Sequence, residues 1–338
     1  MHSSAAPRAL AGFCRTLYTP PNIEADLRVE MSIAVENRRF AAQDYATAAM
    51  SAAFVFLWSS GFIGAKFGLP SAGVFTFLTL RFLLASALLW PFLILLRTPW
   101  PSSWRDTGHI AVSGLMVNVG CLGSCFYAIS LGLPAAVVAL IGGLQPLLTG
   151  MLASYLLREE VNGRQWFGLG LGFAGVVMVL SDRLSLGNAP GAAIAFAFTG
   201  LISITLATLY QKRFATNVPL RSGAAIQLGV SALACLPVAM LSEGFAVAWN
   251  MQFVAALFWL AGPLSLGALT LLWLLVRRGA ASKVSNLFYL TPPITALMAW
   301  LLFGDRLGAL ALAGMAVVVA GVALATQQNQ PVIGKTTS

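Results

Sequence analysis

The sequence has little charge. Of its 338 residues only 9% are charged, whereas an ordinary soluble domain carries roughly 25%. Hydrophobic residues make up 58% of the chain, and the mean hydropathy is +0.82. A soluble protein of this size needs more polar side chains to cover its surface, so the excess apolar surface must face lipid. The composition therefore predicts an integral membrane protein.

Residues that bind metals or join disulfides are also scarce. The two histidines, His2 and His109, cannot build a zinc site between them. The four cysteines lack both metal-ligand spacing and the pattern of a disulfide framework. No Gly-Lys-Ser phosphate loop is present, so ATP hydrolysis is not supported. We expect neither a metal ion nor a cofactor.

From about residue 46 the chain becomes a series of apolar segments of roughly 17 to 26 residues, enough to cross ~30 Å of hydrocarbon as helices. Strands are excluded because the segments lack the alternation of a membrane barrel, and lipid offers no partner to open backbone groups. The predicted fold is an all-α integral membrane protein with ten transmembrane helices. Their spans are 46–66, 72–96, 108–131, 133–157, 165–181, 190–210, 222–242, 251–276, 281–303 and 307–325.

The two ends of the chain differ from this pattern. Residues 1–45 contain five Arg and no long apolar stretch, so they are interpreted as a disordered cytosolic tail or a misassigned start, with Met31 or Met50 as the initiator. Residues 326–338 form a second cytosolic tail. With the amino terminus inside, 16 Lys and Arg fall on the inner side and three on the outer side, which predicts that both termini are cytoplasmic.

The chain carries an internal repeat with an offset of 146 residues. Unusual residues coincide at this offset, namely Lys66 with Lys212, Pro146 with Pro292, Thr149 with Thr295, Gly168 with Gly314, and Gly175 with Gly321. The copies span residues 46–182 and 190–325, and each contains five predicted crossings. Because five is odd, the second copy enters the membrane from the opposite side. Inverted repeats of this kind are typical of secondary transporters, in which a central site opens to either side in turn.

The apolar segments contain several distinctive motifs: Trp58-Ser-Ser-Gly-Phe-Ile-Gly-Ala-Lys66, Leu80-Arg81-Phe82, Leu157-Arg-Glu-Glu-Val161, Tyr289-Leu-Thr-Pro-Pro293 and Leu301-Leu-Phe-Gly-Asp-Arg-Leu307. Together these motifs resemble the EamA-type permeases of the drug/metabolite transporter superfamily. Asp305 departs conservatively from the Glu common in that family. The resemblance covers about residues 46–325. It implies a ten-helix, multi-pass carrier of the inner membrane for small metabolites, often an exporter of amino acids or related compounds.

Arg81 lies about ten residues inside the second segment. A guanidinium at that depth costs at least ~2.5 to 3.5 kcal/mol, so it requires a partner or an aqueous cavity. One interpretation is that Arg81 and its repeat mate Gln227 line a central cavity, where Arg81 attracts a carboxylate or phosphate. The other is that Arg81 snorkels or holds a helix-end carbonyl.

Prolines interrupt the fourth and ninth segments at Pro146, Pro292 and Pro293. Proline removes a backbone donor and crowds the preceding turn, so we expect a bend in each helix. Matching bends in matching helices favour a pair of gates around the cavity. A static bend that improves packing is the competing explanation.

Polar and aromatic side chains near these positions are the remaining candidates for substrate binding. They either line a cavity or bond to neighbouring helices, and the tryptophans and tyrosines can also serve as interfacial anchors. The candidates are Asn118, Tyr127, Gln145, Asn286, Tyr289, Thr291, Trp58 and Trp273.

Residues near the segment ends have simpler interpretations. Lys66, Lys212 and Lys283 are best explained as snorkelling anchors. The glycines of the fifth and tenth segments predict close packing of each helix against its own half, with a homodimer face as the alternative.

These features predict a carrier that works by alternating access on a small-molecule substrate. No Asp or Glu lies in the middle of a segment, which favours facilitated diffusion or exchange over a proton relay. The scattered basic residues indicate topology rather than nucleic-acid binding. An intramembrane lipid-modifying enzyme is disfavoured because no nucleophile has a His or Asp partner. A channel is the other alternative.

Overall fold

The computed structural model describes residues 23–157, 163–185, 191–214, 220–268, 270–271, 274–275, 287–305 and 308–326. Over these ranges the regular structure is helical, with a single isolated bridge between Ala72 and Val247. The chain divides into two units, Met1–Met50 and Ser51–Ser338. The first unit contains the start of a long helix, and the second contains the helix bundle.

The α-helices are numbered here in chain order. They are α1 (Ile23–Gly68), α2 (Val74–Leu95), α3 (Trp104–Gly114), α4 (Ser124–Ser130), α5 (Ala135–Gly142), α6 (Gln145–Leu157), α7 (Gly163–Ser185), α8 (Gly191–Phe214), α9 (Leu220–Ser242), α10 (Met251–Trp259), α11 (Thr291–Phe303) and α12 (Ala309–Thr326). Short 3₁₀ turns cover Leu69–Ser71 and Phe288–Leu290.

Seven helical stretches among the described residues are long and apolar enough to cross a membrane. They are Tyr45–Ser71, Val74–Leu95, Trp104–Ser130, Ala135–Leu152, Gly191–Phe214, Arg221–Ser242 and Met251–Ala268. Shorter apolar helices at Trp166–Ser181, Thr291–Phe303 and Ala309–Leu324 fall within the predicted fifth, ninth and tenth segments. The chain is therefore a multi-pass membrane protein, as its composition predicted.

Two of the spans contain a stretch of π-helix. Leu115–Gly123 joins α3 to α4, and Leu260–Ala268 follows α10. Their first residues are 145 positions apart, within one residue of the repeat offset. Wide turns of this kind free backbone carbonyls, and a hydroxyl occupies one in each copy: Ser203 donates to Met116 O at 2.7 Å, and Ser265 donates to Leu260 O at 2.7 Å.

Helices α7 and α12 pack along a glycine contact. A methyl group added to Gly175 would lie 2.5 Å from the carbonyl oxygen of Gly314, and one added to Gly321 would lie 2.7 Å from that of Gly168. Because position rises along one helix as it falls along the other, the two helices are antiparallel. The sequence analysis predicted that each of these two helices packs against its own half. In the structure, the glycines of one copy instead contact the glycines of the other copy.

One end of the bundle is closed by an ion pair. Lys66 Nζ lies 2.5 Å from Asp305 Oδ2 and 4.3 Å from the ring centre of Phe303. The ring of Phe67 also contacts that of Phe303, with 4.5 Å between centres. Lys66, interpreted from sequence as a snorkelling anchor, thus connects the end of α1 to the end of α11.

A carboxylate from the second copy caps α2 at this same end. Glu243 accepts bonds from the backbone N–H groups of Phe75 and Thr76 at 3.0 and 2.7 Å, and from the Thr76 hydroxyl at 2.7 Å. A negative charge there complements the helix dipole. Beside it, Asn250 Nδ2 donates to Ser71 Oγ at 2.9 Å. We refer to Lys66, Ser71, Glu243, Asn250 and Asp305 as the Lys66 end.

The opposite end of the bundle joins α3 to α8. Helix α2 starts at the Lys66 end and is 22 residues long, about 33 Å, so α3 begins at the far side. There, His109 Nδ1 lies 2.7 Å from the hydroxyl of Tyr210, and its ring stacks on Phe214 with 5.1 Å between centres. His109 therefore contributes to helix packing at this end.

Candidate substrate site

Near the middle of the predicted fourth and ninth spans, a new α-helix starts among the described residues. Helix α5 ends at Gly142 and α6 starts at Gln145, while the 3₁₀ turn Phe288–Leu290 gives way to α11 at Thr291. The two new helices start 146 residues apart, which equals the repeat offset. Each start is followed at once by proline, whose missing N–H is tolerated in a first turn.

These two helix starts lie next to each other. A methyl group added to Gly143 would lie 3.5 Å from Cγ of Pro292, and α5 packs against α11. Pro146 is the second residue of α6, and Pro292 and Pro293 are the second and third of α11. The prolines thus lie in the first turns of α6 and α11, while the expected bends and their gating role stay predictions.

Arg81 is buried, with 6% of its surface exposed. Its guanidinium carbon lies 5.8 Å from the ring centre of Phe126 and 6.0 Å from that of Phe82. Its Nε has no hydrogen-bond partner, and no described carboxylate lies within ion-pair distance of it. Because a buried unpaired cation is costly, this position suits an anionic group.

Asn118 and Gln227 both bond across the interface between the third span and α9. The Asn118 amide donates to Ser231 Oγ at 3.1 Å, and the Gln227 amide donates to Ser113 Oγ at 3.0 Å. The Ser231 hydroxyl in turn donates to the backbone carbonyl of Gln227 at 2.6 Å. These two amides hold helices together, and a role for either in binding substrate stays a prediction.

The other described candidates contact neighbouring helices. Gln145 Nε2 donates to Thr208 Oγ1 at 3.0 Å, while the Thr291 carbonyl accepts a bond from Ser59 at 3.3 Å. The Trp58 ring packs edge-on against Phe288 with 5.1 Å between centres. Tyr127 stacks on Phe196 at 4.9 Å.

Three candidates cannot be placed in this site. Asn286 and Trp273 lie outside the described residues, as does the side chain of Tyr289. The same is true of Lys283 among the predicted anchors. In the part of the chain that is described, no group of three or more His, Cys, Asp or Glu is arranged to hold a metal ion.

Two residues near these helix starts were not predicted as binding residues. Thr149 and Thr295 each bury a hydroxyl oxygen that has no hydrogen-bond partner. Each lies four residues beyond the first residue of its helix, Gln145 or Thr291. Their coincidence at the repeat offset was the sequence signal that set them apart.

A profile of the EamA-like transporter family matches residues 46–181 and again residues 191–327. The chain belongs to this family. The family match and relatives named as transporters identify the chain as a transporter rather than an enzyme.

Several relatives of this EamA-like transporter cover most of its length. It is 26% identical over 293 residues to the uncharacterized transporter YvbV of Bacillus subtilis, covering 84% of this chain and 92% of that one. It is 24% identical to the uncharacterized inner membrane transporter YedA of Escherichia coli K12, covering 81% and 88% of the two chains. It is also 22% identical to a probable amino-acid metabolite efflux pump of Salmonella typhimurium, covering 79% and 90%.

A solved crystal structure has the same fold. It matches 83% of this chain and 97% of its own, with a TM-score of 0.59 and 20% sequence identity. This similarity supports the helical architecture described above.

Proposed function

We propose that this EamA-like transporter moves a small metabolite across the inner membrane by alternating access between two inverted five-helix repeats. In this proposal ten helices cross the bilayer, both termini are cytoplasmic, and the Lys66 end faces outward. The second copy has the opposite orientation to the first.

The observation that carries this proposal is that α6 and α11 start at equivalent positions of the two copies. Interrupted helices at the middle of a transporter commonly form its substrate site, because their freed backbone groups face a cavity instead of lipid. Here Gly143, just before α6, lies next to Pro292 at the start of α11. A solute bound between them would contact both repeats, and movement of one repeat against the other would change its access.

The glycine contact between α7 and α12 supports the inverted orientation. Gly168 and Gly314 are repeat mates, as are Gly175 and Gly321. In the structure each glycine of one pair meets a glycine of the other pair, and the helices are antiparallel. Two copies related by a two-fold axis in the membrane plane would make such reciprocal contacts.

The proposed substrate is an amino acid or a related compound, and the proposed direction is export. The relative named as a probable amino-acid metabolite efflux pump motivates both choices. Arg81 suits the anionic group of such a solute. Its unpaired Nε and the absence of a nearby described carboxylate support that role.

Flux in proteoliposomes tests the proposal. Purified protein would be reconstituted, and entry of each of the common L-amino acids, radiolabelled, would be followed with and without the same compound inside. A carrier gives saturable entry that is accelerated by internal substrate, because the loaded protein returns faster than the empty one. Non-saturable entry without this acceleration would indicate a channel and would overturn the proposal, as would the absence of flux for every amino acid.

Growth of overexpressing cells tests the direction. If the protein exports its substrate, these cells should tolerate toxic amino-acid analogues better than cells carrying an empty vector. Greater sensitivity would show import instead.

A further inference from the structure

Two contacts at the Lys66 end join the first copy to the second, and they are built differently. One is the ion pair between Lys66 and Asp305, which connects the end of α1 to the end of α11. The other lies where the loop before α2 meets the loop between α9 and α10. We call residues 71–76 and 243–250 together the Glu243 clasp.

The clasp is held by several hydrogen bonds. Glu243 accepts three of them from the first turn of α2, as described above. The N–H of Ala248 donates to the carbonyl of Ser71 at 2.8 Å, and the Asn250 amide donates to the hydroxyl of Ser71 at 2.9 Å. Asn250 also caps α10, because its Oδ1 accepts a bond from the N–H of Phe253 at 2.8 Å. The clasp therefore connects the starts of α2 and α10.

Close packing surrounds these bonds. A methyl group added to Gly73 would overlap the carboxyl group of Glu243, so only glycine lets the two loops approach this closely. Thr76 and Phe77 are both fully buried, and the ring of Phe77 lies 5.2 Å from that of Phe253 in α10. Helix α9 packs along α2 beside them. Separating the clasp would expose these groups and leave backbone N–H groups and a carboxylate without their partners.

The Lys66–Asp305 pair is easier to separate. Its side chains are 30% and 26% exposed, so water can solvate both charges when the pair opens. Exposed ion pairs of this kind contribute little to stability. The rings of Phe67 and Phe303 beside the pair are only partly buried. Of the two contacts, this one is suited to open and close repeatedly.

We propose that the Glu243 clasp stays closed throughout the transport cycle, and that the Lys66 end opens between Lys66 and Asp305. This inference rests on the proposed function, because it states which of two contacts moves during alternating access. The clasp is a hinge between the two copies. The copies turn about it, and the opening forms where α11 separates from α1.

A disulfide can lock the clasp directly. Ala72 and Val247 form an antiparallel bridge, and the bond from Ala248 N–H to Ser71 O connects the residues next to them. In this arrangement the bridged residues are the closely spaced kind of pair, with about 4.5 Å between their Cα atoms. That spacing is within the usual range for a disulfide.

Amino-acid flux through the locked protein tests the proposal. Ala72→Cys with Val247→Cys would be placed in an active background in which the four native cysteines are replaced, and the reconstituted protein would be oxidised with diamide. The disulfide should form, and flux should remain unchanged, because a contact that is already closed becomes permanent. The matched pair is Lys66→Cys with Asp305→Cys, for which joining the two thiols should abolish flux.

Reaction of a single thiol tests the clasp without transport. Ala72 is 9% exposed, so the Ala72→Cys thiol can react readily with a water-soluble maleimide only when the clasp opens. Ala246 is exposed on the same loop, and Ala246→Cys is the control. In detergent, the Ala72→Cys thiol should react at least about tenfold more slowly than the control, with and without amino acids, because a closed clasp limits reagent access.

The proposal is overturned if the disulfide between positions 72 and 247 fails to form, or if it stops flux and reduction restores it. It is also overturned if the Ala72→Cys thiol reacts as fast as the control, or if joining positions 66 and 305 leaves flux unchanged. Absent flux in wild-type protein would reject the proposed function instead. The thiol reaction would then still show whether the clasp stays closed.

Discussion

Arg81 shows what the sequence predicts about a single residue and what only the structure adds. Its depth in an apolar segment predicted that the guanidinium needs a partner or a cavity, and it is indeed buried. Sequence left open whether that partner was a backbone carbonyl or a ligand. The structure adds aromatic neighbours, Phe82 and Phe126, and an unpaired Nε.

Replacing Arg81 should separate substrate attraction from folding. Arg81→Ala is expected to lower kcat/KM for uptake of the best amino acid into proteoliposomes at least about tenfold, because a charged hydrogen bond is lost. Arg81→Lys should retain part of the rate, since it keeps the charge but not the planar fork. Initial rates across a substrate series provide the measurement.

Arg213→Ala is the matched control, because Arg213 is an exposed arginine at the end of α8. It should transport at the wild-type rate. If Arg81→Ala reaches the same kinetics at equal protein content, Arg81 has no role in the site.

Other residues show why partners are harder to predict than positions. Asn118 and Gln227 were recognised as polar groups inside apolar segments, but their bonds to Ser231 and Ser113 join residues 113 and 114 positions apart. Thr149 and Thr295 matched across the repeat, yet threonine is common in membrane helices. Only the folded chain shows that these two hydroxyls are buried without a hydrogen-bond partner.

At the scale of the single helix, the prolines predicted more of the structure than the glycines did. The prolines mark the positions at which α6 and α11 begin, because a missing N–H acts on its own helix. The π-helical stretches at Leu115–Gly123 and Leu260–Ala268 were not foreseen, since no residue type marks them. The glycines predicted close packing but not its partner, which depends on how the two copies meet.

The contact between α7 and α12 should have no room at its centre for a residue larger than glycine. Gly175→Leu is expected to lower the melting temperature of the detergent-purified protein by several degrees, because overpacking typically costs about 1 to 3 kcal/mol. Gly170→Leu on the same helix is the control, since nothing lies within 4 Å of a methyl group added there. Equal melting temperatures for the two variants would contradict the packing described here.

For the whole molecule, composition and segment length predicted a multi-pass helical protein, and the family match and apolar spans confirm it. The prediction of which loops face the cytoplasm rests on the number of Lys and Arg residues on each side of the membrane. The Lys66 end adds a physical test of alternating access, because it joins the ends of α1 and α11, which belong to different copies. Lys66 and Asp305 are 239 residues apart in sequence, too far for a local pattern to pair them.

Holding the Lys66 end closed should stop transport. In a background with the four native cysteines replaced and shown to remain active, Lys66→Cys with Asp305→Cys would be joined by a short, reducible bifunctional thiol reagent. Amino-acid flux into proteoliposomes is expected to fall in proportion to the joined fraction and to return on reduction, because the proposed alternating access requires this end to open in each cycle.

Each single-cysteine variant, treated in the same way, controls for modification of one residue. Full transport by the joined protein would mean that these ends stay together throughout the cycle.

Glu243 also shows how far the two copies have diverged since duplication. It completes the first turn of a helix in the other copy, whereas the residue 146 positions earlier is Arg97, of opposite charge. The second copy therefore caps a helix of the first copy through this position, and the first copy does not return the contact through Arg97. At this position the two copies are no longer equivalent.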